Sequence, residues 1–412
     1  MEAEAVAQEQ TFAPDFAAFA SARPGGPGWL GALRRRAFAR FTELGFPTTK
    51  TEAWRFTSVR PIVETSWTLT GRAPHTRPVR SEGVSLSDLR QVIARDPEKI
   101  ERYLGQIAGF EKNAFTALNT AFFEDGVLIE IAKGAVVTEP IEIAFEATGA
   151  AVPEVSYPRI LVVAGESSQA TVVESWTGRG SRPYFSNAVT EIVVGDNAIL
   201  RHVKVQREDL AAFHVQSIAA RVGRSSRFTS DNVALGAALA RTDIDVLLAE
   251  EGAECELNGL FLGSGNQHLD NHTVIDHAKP HGVSRELYKG IMDGKARGVF
   301  HGLVLVRQGA QKTDAIQTNK NLLLSKEALV NSTPALTILA DDVKCKHGST
   351  TGQLDAAALF YLRSRGIGEA EARALLTWAF ASDVVKRIQV PSVRAALEAA
   401  LGSRLPSPPE AS

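Results

Sequence analysis

Cys345 and His347 lie two residues apart in Asp341-Asp342-Val343-Lys344-Cys345-Lys346-His347-Gly348, and no other pair in the chain offers a soft-metal site so directly. If the stretch is extended, side chains alternate between faces, so the thiol and the imidazole point the same way and can grip one soft ion. Lys344 and Lys346 then project from the opposite face. Two donors leave a transition metal short of ligands, so further donors must come from elsewhere in the chain or from a partner. A buried cysteine beside a hydrogen-bonded histidine fits the same spacing, which by itself favours neither reading.

Five of the nine histidines, His268, His272, His277, His281 and His301, fall close together with Asp270, Asn271 and Asp276 among them. Imidazole and carboxylate together suit iron, zinc or manganese. The local Gly, Asn and Pro content points to strands and corners instead of an HExxH helix, so satisfied polar residues at corners are the favoured reading. Several reactions are unsupported: there is no Walker A loop, no complete dinucleotide fingerprint in the stretch from Gly259 to Gly265, and no GxSxG elbow. Ser349 follows His347-Gly348 but has no assignable acid partner or oxyanion loop. Cys255, between Glu254 and Glu256, has carboxylates that disfavour its thiolate, which makes it structural.

The 412 residues are 44% apolar, ample for a large core. Forty-five basic against forty-seven acidic residues leave a formal charge of -2, which removes the electrostatic case for nucleic acid or an anionic membrane. Two distant cysteines make no disulfide framework, and the acidic start Met1-Glu2-Ala3-Glu4 is unlike a secretory leader, so a reducing, cytoplasmic setting is expected. No apolar run approaches the roughly 18 residues that span a bilayer.

The elements that must hold these residues follow from periodicity. Residues 1–26 read as a flexible arm and 27–125 as an N-terminal helical region. In that region Leu30, Leu33, Ala37, Phe41 and Leu44 recur at helical spacing before Gly45, and Ser87 is a candidate N-cap. Residues 126–353 are short β-branched runs such as Val127–Ile131, Ile160–Val163 and Val299–Val306, leaving a sandwich, a barrel or a solenoid. The number of strands and Asn/Asp/Gly corners such as Gly195-Asp196-Asn197-Ala198 and Ser230-Asp231-Asn232 favour the solenoid, although no strict repeat period is legible. Residues 354–403 return to helical patterning, with Leu354, Ala358, Tyr361 and Leu362 as one apolar stripe closed by Gly366, and 404–412 read as a disordered tail.

The strings Leu269-Asp270-Asn271-His272-Thr273, Ser284-Arg285-Glu286-Leu287-Tyr288-Lys289-Gly290, Gln317-Thr318-Asn319-Lys320-Asn321, Asp341 to Gly348 and Phe360-Tyr361-Leu362-Arg363-Ser364-Arg365-Gly366 are specific in combination. With them the chain resembles, over nearly its whole length, the SufB/SufD family of iron–sulfur cluster assembly proteins. Lys50-Thr51-Glu52-Ala53-Trp54-Arg55-Phe56-Thr57 resembles the N-terminal motif of the SufD branch. The resemblance implies a mainly β chain, a right-handed parallel β-helix (β-solenoid) flanked by α-helical regions. It also implies a scaffold complex in which the chain pairs with SufB through the end of the β-helix, or with a second copy of itself when SufB is absent. A transient iron–sulfur cluster would form at that interface, with His347 and Cys345 as the metal-site residues. Nucleotide hydrolysis would belong to the ATPase SufC, docked on the C-terminal helices around Phe360, Tyr361, Arg363, Arg365 and Gly366, so the chain itself binds no nucleotide and has no catalytic residue. Flavin association is left open. The chain departs from the family pattern at Thr337, commonly Glu, and at Lys346, commonly small, where a cation would favour a thiolate, or contact sulfide or a partner carboxylate. Other readings are a β-helix carbohydrate-active enzyme and a purely structural subunit.

Overall fold

The structure is a computed structural model that describes residues 15–22, 26–71, 75–76, 82–147, 151–179 and 182–404. Most of the arm expected at the N-terminus and nearly all of the expected tail lie outside the described residues. Within the stretch read as an arm, residues 15–21 are helical, with Phe16 stacked on Phe38 at 4.2 Å and Phe19 buried.

The strands are β1 (Thr68–Leu69), β2 (His75–Thr76), β3 (Val84–Asp88), β4 (Gly126–Ile131), β5 (Ile141–Ala147), β6 (Glu154–Ser156), β7 (Arg159–Ala164), β8 (Gln169–Gly178), β9 (Tyr184–Val194), β10 (Ile199–Arg207), β11 (Ala212–Val222), β12 (Arg227–Ala234), β13 (Leu239–Leu248), β14 (Glu254–Gly263), β15 (His268–His277), β16 (Val283–Met292), β17 (Arg297–Val306), β18 (Asp314–Leu323), β19 (Leu329–Ile338) and β20 (Lys344–Gly352). From β4 onward, the short β6 beside β9 apart, they alternate between two sheets, β4-β7-β9-β11-β13-β15-β17-β19 and β5-β8-β10-β12-β14-β16-β18-β20. Neighbours along both paths are parallel. The result is a β-solenoid of about 8 turns, with 43% of residues in strands and 24% in helices.

The missing repeat period has a geometric cause. Phe213 pairs with Leu239 one turn on, a step of 26 residues, while Gly126 pairs with Arg159, a step of 33. Backbone pairing conserves the strands and lets the corners vary in length. One corner is regular in shape but not in sequence: Gly134, Ser167, Asn197, Ser225, Gly252, His281 and Lys312 all have positive φ. In each case the N–H donates to a carbonyl of the next turn, as in Asn197 to Arg224 at 2.8 Å and His281 to Gln311 at 2.9 Å. The expected corner at Gly195–Ala198 is therefore present. The one expected at Ser230-Asp231-Asn232 is not: those residues are buried within β12, where Asp231 faces out to Arg201 and Asn258 while Asn232 faces in to Asn271.

Gly259 is a mid-strand packing residue in β14. A Cβ there would lie 2.1 Å from Cε1 of the buried Tyr288 on the next turn. Gly259→Ala should destabilise the chain by about 1–3 kcal/mol through overpacking, read as a lower urea midpoint.

The N-terminal helices α1 (Gly28–Leu44), α2 (Arg60–Val63), α3 (Leu89–Arg95), α4 (Glu98–Glu101) and α5 (Ala114–Phe122) cover the outer face of the first sheet. In α1 Leu30, Leu33, Ala37 and Phe41 are buried, as the spacing predicts, and Gly45 at φ 63 stops it. Asp88, not Ser87, caps α3: it is the residue directly before Leu89, and its side chain accepts from the Arg90 N–H. Between this region and the solenoid lies a fully buried ion pair, Arg159 Nη2 to Glu191 Oε2 at 2.7 Å. Arg159 also donates to Asn119 and Thr120 of α5, and Glu191 accepts backbone N–H groups from Gly105, Ile107 and Ala108.

Of the C-terminal helices α6 (Ala356–Ser364), α7 (Glu369–Val385) and α8 (Pro391–Arg404), the last two lie against the outer face of the second sheet. Ala381, Val384, Ile388, Leu397 and Leu401 pack there on Val203, Val205, Val233, Leu260 and Ile291. Lys289, buried in β16, ties α7 down through Asp383 Oδ2 at 2.5 Å and the Phe380 carbonyl at 2.9 Å. Both helical regions leave one end of the solenoid uncovered.

Candidate functional site

That open end is the last turn, formed by β19 and β20, the terminal strands of their sheets. Register fixes which residues of β20 face inward: Cys345 lies over Ala315, His347 over Gln317, Ser349 over Asn319 and Thr351 over Asn321. The residues one turn below are buried, whereas His347, Ser349 and Thr351 are exposed because no further turn covers them. Cys345 is half-buried against Val304, Val306, Ala315, Ala340 and Leu336. The alternation predicted from sequence is thus present: Cys345 and His347 share the inner face, and Lys344 and Lys346 stand over Asp314 and Ile316 on the outer one.

Local electrostatics correct one expectation. Burial pushes the Cys345 thiol above its ordinary value, a backbone hydrogen bond with Ala315 opposes this, and Asp314 adds to it. Lys346 points away across the strand, so the isolated chain does not hold Cys345 as a ready thiolate. Among the described residues no group of three or more His, Cys, Asp or Glu could hold a metal ion. Cys345 and His347 therefore remain two donors on an open turn, short of a complete ligand set.

The histidine-rich stretch does not assemble as one site. His277 faces the interior, with Nε2 2.9 Å from Ser284 Oγ, and burial lowers it to about 4. His281 is the left-handed corner residue already described. His268, the first residue of β15, and His272 and His301, at mid-strand, line the outer face of the first sheet, where the loop bearing Trp54 and Thr57 covers part of it. There Thr57 Oγ1 donates to Asp270 Oδ2 at 2.6 Å and meets His268 Nε2 at 2.8 Å, and Arg241 lies 3.8 Å over the Trp54 ring while pairing with Asp243 and Asp270. His272 approaches Asp270 at 3.1 Å and stacks on His301 at 5.0 Å. Thr57, Arg241, Asp243 and Asp270 hold one another and, with Arg241 Nη1 donating to the Ala53 carbonyl at 2.6 Å, clamp the N-terminal loop to the solenoid, although Asp270 Oδ1 makes no hydrogen bond among the described residues.

Sequence reasoning missed a polar seam inside the solenoid. Glu174 is fully buried, yet it accepts from Trp176 Nε1 at 2.6 Å and from Gln216, and it meets His202 Nε2 at 3.0 Å. Burial opposes its charge, but His202, Lys204 and Gln216 outweigh burial and hold it at about 2. Nearer the open end Glu286 has no cation beside it, and burial pushes it to about 7. The only hint in the sequence was the polar residue recurring at inward positions of otherwise apolar strands, legible once register is known.

The two carboxyls should give opposite pH responses. Glu174, lowered, contributes stability above its ordinary value of 4.5 that is lost as pH falls towards 2. Glu286, raised, has its stability present below 4.5 and lost as pH rises through about 7. Glu286→Gln should therefore stabilise the chain at pH 8 by on the order of 2 kcal/mol and have little effect near pH 4, whereas Glu174→Gln should destabilise it at pH 8. Urea titrations at the two pH values read both signs, and equal effects at both would refute the assignment.

Of the residues expected to dock a partner, Phe360, Tyr361 and Arg363 lie on α6, which buries none of its side chains, and Arg365 and Gly366 follow its end. Phe360 and Tyr361 are 74% and 57% exposed, so Tyr361 belongs to an outward patch and not to the inward stripe expected with Leu354, Ala358 and Leu362, all half-buried. Arg365 lies 5.3 Å from the Tyr361 ring, Arg363 is 3.5 Å from Glu369, and Gly366 takes φ 87 at the turn into α7. No helix among the described residues is long and apolar enough to cross a membrane.

Comparison with known proteins agrees with this architecture. Residues 145–380 match the family model described as SUF system FeS cluster assembly, SufBD core domain, and residues 71–143 match the SufBD protein N-terminal region. The chain is 38% identical to an iron-sulfur cluster assembly SufBD family protein of Synechocystis over 76% of its own length and 70% of that protein's. It is 30% identical to the iron-sulfur cluster assembly protein SufD of Escherichia coli, over 88% and 90% of the two chains. A third relative, protein ABCI7 of Arabidopsis thaliana, described as chloroplastic, is 32% identical over 72% of this chain and 65% of its own.

Proposed function

The chain belongs to the SufB/SufD family of iron–sulfur cluster assembly proteins, and from that premise we propose that its open last turn is half of a cluster-building site. His347 and Cys345 supply donors to iron in the nascent cluster, and a SufB partner closing the end of the solenoid supplies the rest. The observation that carries this reading is the pair itself, inward-facing on a turn that nothing covers and two donors short of a tetrahedral set. The raised Cys345 thiol fits such a division of labour, since metal arriving with the partner's ligands drives its deprotonation.

The exposed Phe360 and Tyr361, with Arg363 and Arg365 beside them, form the surface on which the ATPase SufC docks. The α7–α8 layer, fixed to the solenoid by its apolar contacts and by Lys289, transmits nucleotide-driven movement from that surface to the strands. In this reading the chain is a non-catalytic scaffold, the cluster is its cargo, and nucleotide hydrolysis is the partner's. Anaerobic co-purification with SufB and SufC, reading iron, sulfide and subunit ratio together, tests the proposal. One SufB and bound SufC per chain, with iron and sulfide present, are expected. A chain that recovers neither partner refutes it.

A further inference from the structure

Beneath His347 the interior holds two polar groups in one column: β16, β18 and β20 place Glu286, Gln317 and His347 at successive positions facing inward. Neighbouring strands are about 4.8 Å apart, so residues stacked this way are within reach of one another. Glu286 and Gln317 are 4% and 1% exposed. Gln317 Nε2 donates to Glu286 Oε2 at 2.7 Å, which commits the amide nitrogen inward. The amide oxygen is thereby left over, buried and with no hydrogen-bond partner.

The surroundings hold this arrangement. Across the interior, Gly302 gives the amide its room, since a Cβ there would come 2.3 Å from Gln317 Nε2. Thr273 stands beside Glu286, but Thr273 Oγ1 and Glu286 Oε1 do not reach hydrogen-bond geometry. The titratable neighbours Cys255 and Tyr288 are both pushed upward by burial and by Glu286, so they stay neutral and add no second negative charge beside the carboxyl. Among the described residues Gln317 is thus the one side chain that gives Glu286 a hydrogen bond of good geometry, and the next place in the column belongs to His347.

We infer that Glu286 and Gln317 are positioning residues for His347: the carboxylate fixes the amide, and the amide oxygen accepts one ring N–H of His347, leaving the other ring nitrogen's lone pair directed out of the solenoid. A ligating histidine generally has its second nitrogen held in this way, which selects the tautomer and sharpens the orientation of the donor. The inference rests on His347 being the donor proposed above, but it concerns the ring's state before any metal arrives, so the two can fail separately.

Nitrogen-15 spectra of the histidine rings in the full-length chain, without metal, test it. The His347 signals are assigned by their loss in His347→Gln and are recorded where the ring is neutral. One dominant tautomer is expected in the unmodified chain, and averaging between the two tautomers in Gln317→Leu, which keeps the volume and removes the acceptor. Glu286→Gln, which frees the amide to turn over, should also shift the balance, while the buried His277 keeps its signals as a control for folding. Identical His347 tautomer populations in the unmodified chain and in Gln317→Leu would overturn the inference whether or not His347 later proves to bind iron.

Discussion

Replacing Arg159 by methionine should lower the chain's stability by about 3–5 kcal/mol, because it leaves Glu191 charged, buried and without its counter-ion. Both side chains are fully buried, and the guanidinium holds two regions at once. It donates through Nε and Nη2 to Glu191 on β9, and through Nη1 to Asn119 and Thr120 on α5. Many buried ion pairs can be exchanged for hydrocarbon with little loss. Here that exchange should fail, since Glu191 also accepts the N–H groups of Gly105, Ile107 and Ala108, and removing it would orphan backbone donors. The double replacement Arg159→Met with Glu191→Leu should accordingly recover little of the loss. Urea unfolding followed by the fluorescence of Trp54 and Trp67, both in the N-terminal region, reads the effect there. A loss under about 1 kcal/mol for Arg159→Met would mean that the helical region is held on by its aromatic core alone.

How much of this could be read beforehand depended on how local each signal was. The stripe of α1 was legible because it needs only 3.6-residue spacing within one element, and the inward pairing of Cys345 with His347 because strand alternation has a period of two. The family motifs at Asp341–Gly348 and Phe360–Gly366 marked both candidate surfaces. What stayed hidden depends on partners far away in the chain. The packing role of Gly259 is invisible until Tyr288 is known to lie over it, and Ser230-Asp231-Asn232 looks like a corner until Arg201, Asn258 and Asn271 are known to hold it. The Glu174 cluster and the Glu286–Gln317 column arise from register across turns whose lengths differ, and no pattern within one turn reports that register. Lys346 was misleading for the opposite reason: it neighbours Cys345 in sequence, but the pleat turns it to the other face.

His347→Ala should spare the fold and remove the cluster. The side chain is exposed on the last turn, where even the inferred hydrogen bond to Gln317 is open to water, so little stability depends on it. If it is one of few donors that this chain brings to a shared site, its loss cannot be covered from within the chain, because no third donor stands nearby among the described residues. Loss of a residue that only supports a ligand already weakens metal binding by about 10–100-fold, and loss of a ligand should do at least as much. Cys345→Ser should act in the same direction. The decisive measurement is iron and acid-labile sulfide per complex, after anaerobic assembly with SufB and SufC, for His347→Ala beside the unmodified chain. An intact complex with iron and sulfide reduced at least tenfold is expected. An intact complex carrying its full complement of iron and sulfide would show that His347 does no more than pack at an interface.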